Sequence, residues 1–519
     1  MVSNERKFSS LIERILGGVF VAGFSSFLFL GSAGVASAVV NPPRAPTSTA
    51  IISAQSISYT WNTSTAGGTE NVWVVRSSLA GTNAPVTAAL LSPTSTVLTY
   101  SFVGLATNTA YTFDVAGSDG SASSTLVTSS LVYTAAAVPG TPTLSSTGAQ
   151  NLLITMATDT NPAANTTYII KDTNASVGLK YLQADGTWGT ATATHSWAQL
   201  GSGSATTTTG LATNTQHTIS VAAVNGDSTN TTTYSATVSL YTNATVPSLP
   251  TLSSTGAQNL LITMATDTNP AANTTYIIKD TNASVGLKYL QADGTWGTAT
   301  ATHSWAQLGS GSATTTTGLA TNTQHTISVA AVNGDSTNTT TFSATASLFT
   351  NATVPNLPTL SSTGAQNLLI TMATDTNPAA NTTFIVKDTN ASVGLKYLQT
   401  NGTWGNATAT HSWAQLGSGS ATTTTGLATN TQHTISVVAV NGDSTATSTY
   451  SSTASIYTMG AVPNTATLST VGQQTLRITM ATDTNPAANT SYVVKDTNAS
   501  VGLKYLQTDA TWGTATATL

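Results

Sequence analysis

The sequence predicts an all-β protein, built as a tandem array of β-sandwich domains, and three observations predict it. The polar part of the chain is rich in Thr, Ser, Asn and Gly, while Glu occurs only at Glu5, Glu13 and Glu70, a composition that suits strands and turns and argues against a helix-rich protein. Short apolar runs alternate with turn-forming clusters along most of the length. From residue 142 onward the chain repeats with a period of 108 residues. Composition also excludes several classes. Only 6% of residues are charged and the net charge is -5, so no basic face is present to hold a phosphate backbone, and nucleic acid is excluded as a partner. With 40% hydrophobic residues a core is within reach, unlike in a disordered chain. The absence of Cys removes disulfides, thiol catalysis and Cys-type zinc sites.

The N-terminus reads as an address. Arg6, Lys7 and Arg14 precede an apolar run from Ile15 to Leu30, and Ala36-Ser37-Ala38 forms an A-x-A cleavage pattern. Residues 1–38 are therefore expected to be the helix of a secretory signal peptide. The alternative is an uncleaved anchor, but the run of 16 residues is shorter than a comfortable ~20-residue span. No second membrane segment follows, so no span remains once the signal is removed. Pro42, Pro43 and Pro46 make a stiff lead-in to residues 46–139, the first domain.

The repeats come next, at 142–249, 250–357 and 358–465, with a diverged partial copy at 466–519. The first two copies differ at four positions, Tyr234/Phe342, Val238/Ala346, Tyr241/Phe349 and Ser248/Asn356. A period of 108 exceeds solenoid repeats and matches one autonomous domain. Within a copy, Asn151–Met156 and Thr167–Lys171 are apolar runs separated by the turn-rich 158–162. Lys180–Gln183 and Thr187-Trp188 flank Ala184-Asp185-Gly186 as a hairpin. His217, Ile219, Val221 and Ala223 alternate with Thr218 and Ser220 as a half-buried strand, and Tyr234, Ala236, Val238 and Leu240 alternate again. Some seven strands at spacings near 10 residues indicate a sandwich.

The first domain indicates which sandwich. Trp61 stands in its second strand and Trp73 opens its third. Leu105 to Val115 follows the pattern Leu-x-x-x-Thr-x-Tyr-x-Phe-x-Val, matched in the repeats by 211–221. This set resembles the fibronectin type III family over residues 46–465. The resemblance implies a seven-stranded Greek-key sandwich, used as a spacer or binding module and not itself catalytic. The repeats depart from the pattern in three ways. Met156, Met264, Met372 and Met480 replace the core Trp, and His217, His325 and His433 replace a Tyr whose hydroxyl bonds back to the chain. Each repeat also carries extra residues between the third strand and Gly210-Leu-Ala-Thr-Asn-Thr215.

Little chemistry is on display. All six His fall in the repeats without a nucleophile or metal-type partner spacing, and each reads as a satisfied core residue. Asp159, Asp172, Asp185 and Asp227 all stand in turn-like contexts, where Asx side chains bond their own backbone. Catalytic residues and cofactors are therefore expected to be none. The family topology places the loop with Asp159 and Asn161 at the same pole as the loop with Asn225 and Asp227. Such a pole offers contact groups, and its oxygens are of the kind Ca²⁺ takes, although two carboxylates make at best a weak calcium site. Tyr181, Trp188 and Trp197 recur as Trp296/Trp305 and Trp404/Trp413. Exposed, these rings would stack on sugars with avidity from repetition; folded over the sandwich, they would be buried. Sequons at Asn165, Asn174, Asn230 and Asn243 matter only in a glycosylating host.

Leu519 falls where the repeat has His195, so residues 466–519 hold about half a domain. The sequence is thus expected to be a fragment of a longer protein; the alternative is that the last unit borrows strands from a partner. The reading is a secreted, bacterial-type surface protein whose repeats act as a stalk and a multivalent contact surface for cell-surface glycans or proteins. With strands setting domains of about 30–40 Å, four would span on the order of 130–150 Å if extended. The rival reading is the spacer or carbohydrate-binding part of an extracellular carbohydrate-active enzyme whose catalytic domain lies beyond residue 519.

Overall fold

The computed structural model describes residues 42, 48–62, 72–79, 85–91, 97–118, 124–174, 178–282, 286–390, 394–498 and 502–519. The expected signal helix, residues 1–38, lies outside the described residues. The described residues form strands and short 3₁₀ turns with no α-helix, and no helix among them is long and apolar enough to cross a membrane. The chain divides into two compact units: residues 1–138 with 159–167 and 223–233, and the remainder.

In the first unit, Ser48–Ser53, Ser56–Asn62 and Val97–Val103 form one antiparallel sheet with Ser56–Asn62 in the middle. Val72–Leu79 and Ala110–Ser118 form the centre of the other, flanked by Pro85–Leu91 on one side and by Val127–Thr128 and Val132–Tyr133 on the other. This is the Greek-key sandwich that the resemblance implies. Period-2 alternation aims Ile57, Tyr59 and Trp61 inward, where they meet Trp73, Val75, Tyr111, Phe113 and Val115. Tyr59 stacks between Trp61 and Phe113 at centroid distances of 5.8 and 5.6 Å. Arg76 Nε on the third strand pairs with Asp114 at 3.0 Å, and Thr128 Oγ1 donates to the same carboxylate.

In the second unit, the copy at 250–357 shows both sheets of the repeat among the described residues. Thr251–Gly256, Asn259–Thr263 and Ala313–Thr316 make the smaller sheet. The larger one runs in the order Trp296–Gly297, Lys288–Leu290, Thr275–Asp280, Gln324–Val332, Ala346–Phe349. The copy at 358–465 repeats this order. Leu260, Ile262, Met264, Tyr276, Ile278, Ile327 and Val329 fill the space between the sheets. Met264 is 2% exposed, so the thioether occupies the position where the first domain has Trp61.

The extra residues of the repeat build onto one edge of the larger sheet. Where the first domain has the single strand Pro85–Leu91, the repeat has the hairpin Lys288–Leu290/Trp296–Gly297. The short strand His303–Ser304 then returns to pair with the start of Thr275–Asp280. The hairpin turn is as expected: Gly294 has φ +81°, and Asp293 Oδ1 accepts the Thr295 N–H and Oγ1–H at 2.9 and 2.6 Å.

The last strand corrects the sequence reading. Alternation extends back to Tyr234 and Phe342, but the strands begin at Val238 and Ala346. The cause is Ser343, whose Oγ takes the Val329 N–H at 3.1 Å in place of a ladder carbonyl. In the partial copy, Thr467–Gly472 pairs with Thr475–Thr479, and Lys495–Asp496, Lys504–Leu506 and Trp512–Gly513 form a separate sheet. Its Met480 is 39% exposed, against 2% for Met264 in a complete copy.

Candidate functional site

The two loops that carry the pole residues of the sequence reading both bond to residues of the preceding domain. In the first unit Asn108 adopts the left-handed conformation, φ +43°, that the short Asn side chain tolerates. It follows Leu105, whose burial anchors the turn, and Asn108 itself is fully buried. Its Nδ2 donates to Asn165 O and Thr166 Oγ1 at 3.0 and 2.7 Å, and its Oδ1 accepts the Gly226 N–H at 2.9 Å. Asn165 Nδ2 returns a bond to Asn108 O at 3.2 Å. Each polar atom of the buried amide is therefore satisfied.

The named pole residues complete this joint. Asn161 clasps the backbone of Ala137, accepting its N–H at 2.7 Å and donating to its carbonyl at 2.9 Å. Asp159 Oδ1 accepts the Asn161 N–H at 2.9 Å and so orients it. Asp227 Oδ2 faces the Tyr133 N–H at 3.4 Å, while its Oδ1 takes the Thr229 N–H and Oγ1–H. Asn225 Oδ1 accepts the Asn230 N–H at 2.9 Å and shapes the loop that carries Gly226. A Cβ on Gly226 would lie 2.3 Å from Tyr133 Cε1, so the ring lies directly on the glycine.

The second unit contains the same joint twice more, with Asn214 and Asn322 as the buried amides. Asn214 reaches Asn273 O, Thr274 Oγ1 and the Gly334 N–H, and Asn322 reaches Asn381 O, Thr382 Oγ1 and the Gly442 N–H. Tyr241 and Phe349 lie on Gly334 and Gly442 as Tyr133 lies on Gly226. Partial burial pushes the Asp335 carboxyl up, but bonds from the Thr337 hydroxyl, the Thr337 N–H and the Tyr241 N–H outweigh it and hold the group below its ordinary value. Asp443 is lowered in the same balance, with Phe349 N–H as the donor across the joint. Among the described residues no three His, Asp or Glu side chains converge as a metal would need.

A second buried constellation departs from the sequence reading. Asp172 makes the expected bond to its own backbone, but it also ends the strand Thr167–Asp172, fully buried, and its Oδ2 accepts a bond from His217 Nδ1 at 2.6 Å. Its Oδ1 takes the Thr218 and Asn174 N–H groups at 3.0 and 3.1 Å. His217 Nε2 faces Ala212 O at 3.5 Å, and the equivalent distances are 3.4 Å for His325 and 3.3 Å for His433. Both ring nitrogens thus face oxygen acceptors. In the first domain the matching Tyr111 accepts the Ala106 N–H at 2.9 Å. The tie runs to the same Ala in both, with the donor reversed.

The aromatic candidates are packed. Trp197, Trp305 and Trp413 lie tilted on Tyr168, Tyr276 and Phe384 at 5.8 to 5.9 Å. Trp296 is 8% exposed and belongs to the core, while Trp188 and Trp404 are half-buried. The Nε1 atoms of Trp188, Trp296 and Trp404 are buried without a hydrogen-bond partner. Tyr181 is half-buried beside Tyr234, whose hydroxyl is pushed up by burial and then by Tyr181. Lys171 Nζ sits 3.5 Å above the Tyr234 ring.

Sequence reasoning passed over Asn108 and its equivalents. The signal was present: Leu-Ala-Thr-Asn-Thr is shared by the first domain and the complete copies although the first domain is not a copy of the repeat. No protein-family model matches the chain, and no curated protein matches it. Among solved structures it is similar to the FN1–FN3 domains of chicken CNTN1, with 16% identity over 60% of this chain and 99% of that one, at a TM-score of 0.21. It is also similar to a two-domain fibronectin type III segment of chicken tenascin, with 14% identity over 38% of this chain and 98% of that one, at a TM-score of 0.25. The fold of this chain rests on its own strand order.

Proposed function

We propose that the protein is a secreted or cell-surface structural and adhesive protein, its repeats forming a stalk with many contact faces. The observation that supports this most is the joint. Asn108, Asn214 and Asn322 are each buried between one domain and loops of the next, with the same set of partners. A flexible spacer has no use for a fully satisfied buried amide at each linker, whereas a stalk that must hold its domains apart does. The packed aromatic rings fit a supporting role better than a row of sugar platforms. Small-angle scattering of the full chain tests the reading: deleting residues 250–357 is expected to shorten the maximum dimension by about 30–40 Å, one domain of ordinary strand length. A dimension that stays unchanged would sink the stalk. Protease shaving of intact producing cells tests the location, since a surface stalk is cut and an interior protein is spared.

A further inference from the structure

The joint has a tail surface and a head surface, and the two are unequal in how much of their sequence matters. On the tail side the shared side chain is an Asn, buried as Asn108, Asn214 and Asn322 and half-buried as Asn430. The other tail contacts common to the three complete joints come from backbone groups or from a bare ring face, while Thr245 and Thr353 add hydroxyl bonds to Thr268 and Asn269 and to Thr376 and Asn377 that Ala137 does not make. Asn161 and its equivalents bind the backbone N–H of Ala137, Thr245, Thr353 and Ala461 alike. Tyr133, Tyr241 and Phe349 cover the glycine equally closely, so the hydroxyl is not required. The head side, by contrast, is a set of side chains fixed in every complete copy, such as Asn273, Thr274 and Asp335. The first domain is not a copy of the repeat, yet its tail makes the same joint.

We infer that tail and head are an interchangeable docking pair, and that the partner each head fits is the tail of any other domain of this chain. The array can then gain or lose whole 108-residue units with every remaining joint formed by the same Asn, backbone and ring contacts. The inference rests on the joint geometry and stands whether or not the chain serves as a stalk.

Deleting residues 250–357 from the full chain creates a joint that does not exist now. It places Asn214 against Asn381, Thr382 and Gly442, which Asn322 holds at present. Amide exchange of the 432–446 segment reads it, because Val438 and Ala446 distinguish this copy from the others. The Gly442 N–H is expected to keep its protection within about threefold in the deleted chain, and Asn214→Ala introduced there is expected to lower it by about tenfold or more. The strand amide of Val437, held by Ser451 Oγ, reports folding of the domain itself and is expected to stay unchanged in both. Rapid exchange at Gly442 in the deleted chain with Val437 still protected would overturn the inference. So would protection at Gly442 that survives Asn214→Ala.

Discussion

The two kinds of domain solve one local problem with different chemistry. Each must hold the segment before one central strand, Ala110–Ser118 in the first domain and Gln324–Val332 in the repeat, onto the strand itself. The first domain does it with Tyr111, whose hydroxyl accepts the Ala106 N–H, and carries the buried Ser77 on the neighbouring strand, opposite Phe113. The repeats use His325, which needs an acceptor on Nδ1, and Asp280 stands where Ser77 does. Imidazole and carboxylate form a unit, fully buried and further tied by the Thr326 and Asn282 N–H groups. Removing one member of a buried pair leaves the other without its partner, which typically costs about 3–5 kcal/mol. Asp280→Ser alone is therefore expected to destabilise its repeat by about that amount in chemical denaturation. The double variant Asp280→Ser/His325→Tyr, which gives the repeat the first domain's residues at both positions, is expected to regain more than half of the loss. No recovery would mean that the pair is not a unit. Met264 makes a simpler case: with 2% exposure in a filled core, Met264→Ala is expected to cost about 2–5 kcal/mol.

At the scale of the element, the joint is two loops of one domain gripping a turn and a strand end of the domain before. Gly334 permits a direct test, because its φ is outside the left-handed region and alanine fits its backbone. The added Cβ would meet Tyr241 Cε1 at 2.4 Å, so Gly334→Ala is expected to open the joint at an overpacking cost of about 1–3 kcal/mol. The measurement is faster proteolysis within the linker 243–250 while the flanking sandwiches stay resistant. Acid is expected to loosen the same contact. Asp335 and Asp443 have folded values below ordinary, so their contribution is complete above the unfolded Asp value of about 3.9 and is lost as pH falls through the lowered folded value. Linker cleavage by an acid-tolerant protease should therefore rise only below about pH 4. Enhanced cleavage already at neutral pH would exclude these carboxylates as the cause.

At the scale of the whole molecule, what was legible in the sequence and what was not divide along a physical line. Alternation, the 108-residue period and the Asp-Gly turn are local signals, and they placed the strands and the hairpin. The extent of the last strand was misread because Ser343 replaces a ladder carbonyl with its own hydroxyl, which alternation does not record. The joint leaves no local signal because Asn214 and Gly334 are 120 residues apart, and the pairing of Asp172 with His217 leaves none because the two are 45 residues apart. Polar contacts of that range leave no periodic trace. Their consequence for the array is energetic. In a linear array, stability is the sum of what each repeat holds alone and what each interface adds. With every joint intact, neighbouring domains share the interface term and a domain that opens forfeits it. Replacing Asn108, Asn214 and Asn322 by Ala strands the N–H groups that each amide served, at about 1–3 kcal/mol per joint. Calorimetry of the triple variant is expected to show a lower and broader transition, with the unfolding of single domains separated from that of their neighbours. The single variants should fall between, their effects adding because the joints share no residue. A triple variant that melts as sharply and at the same temperature as the parent would show that the domains are independent beads and that the buried asparagines couple nothing.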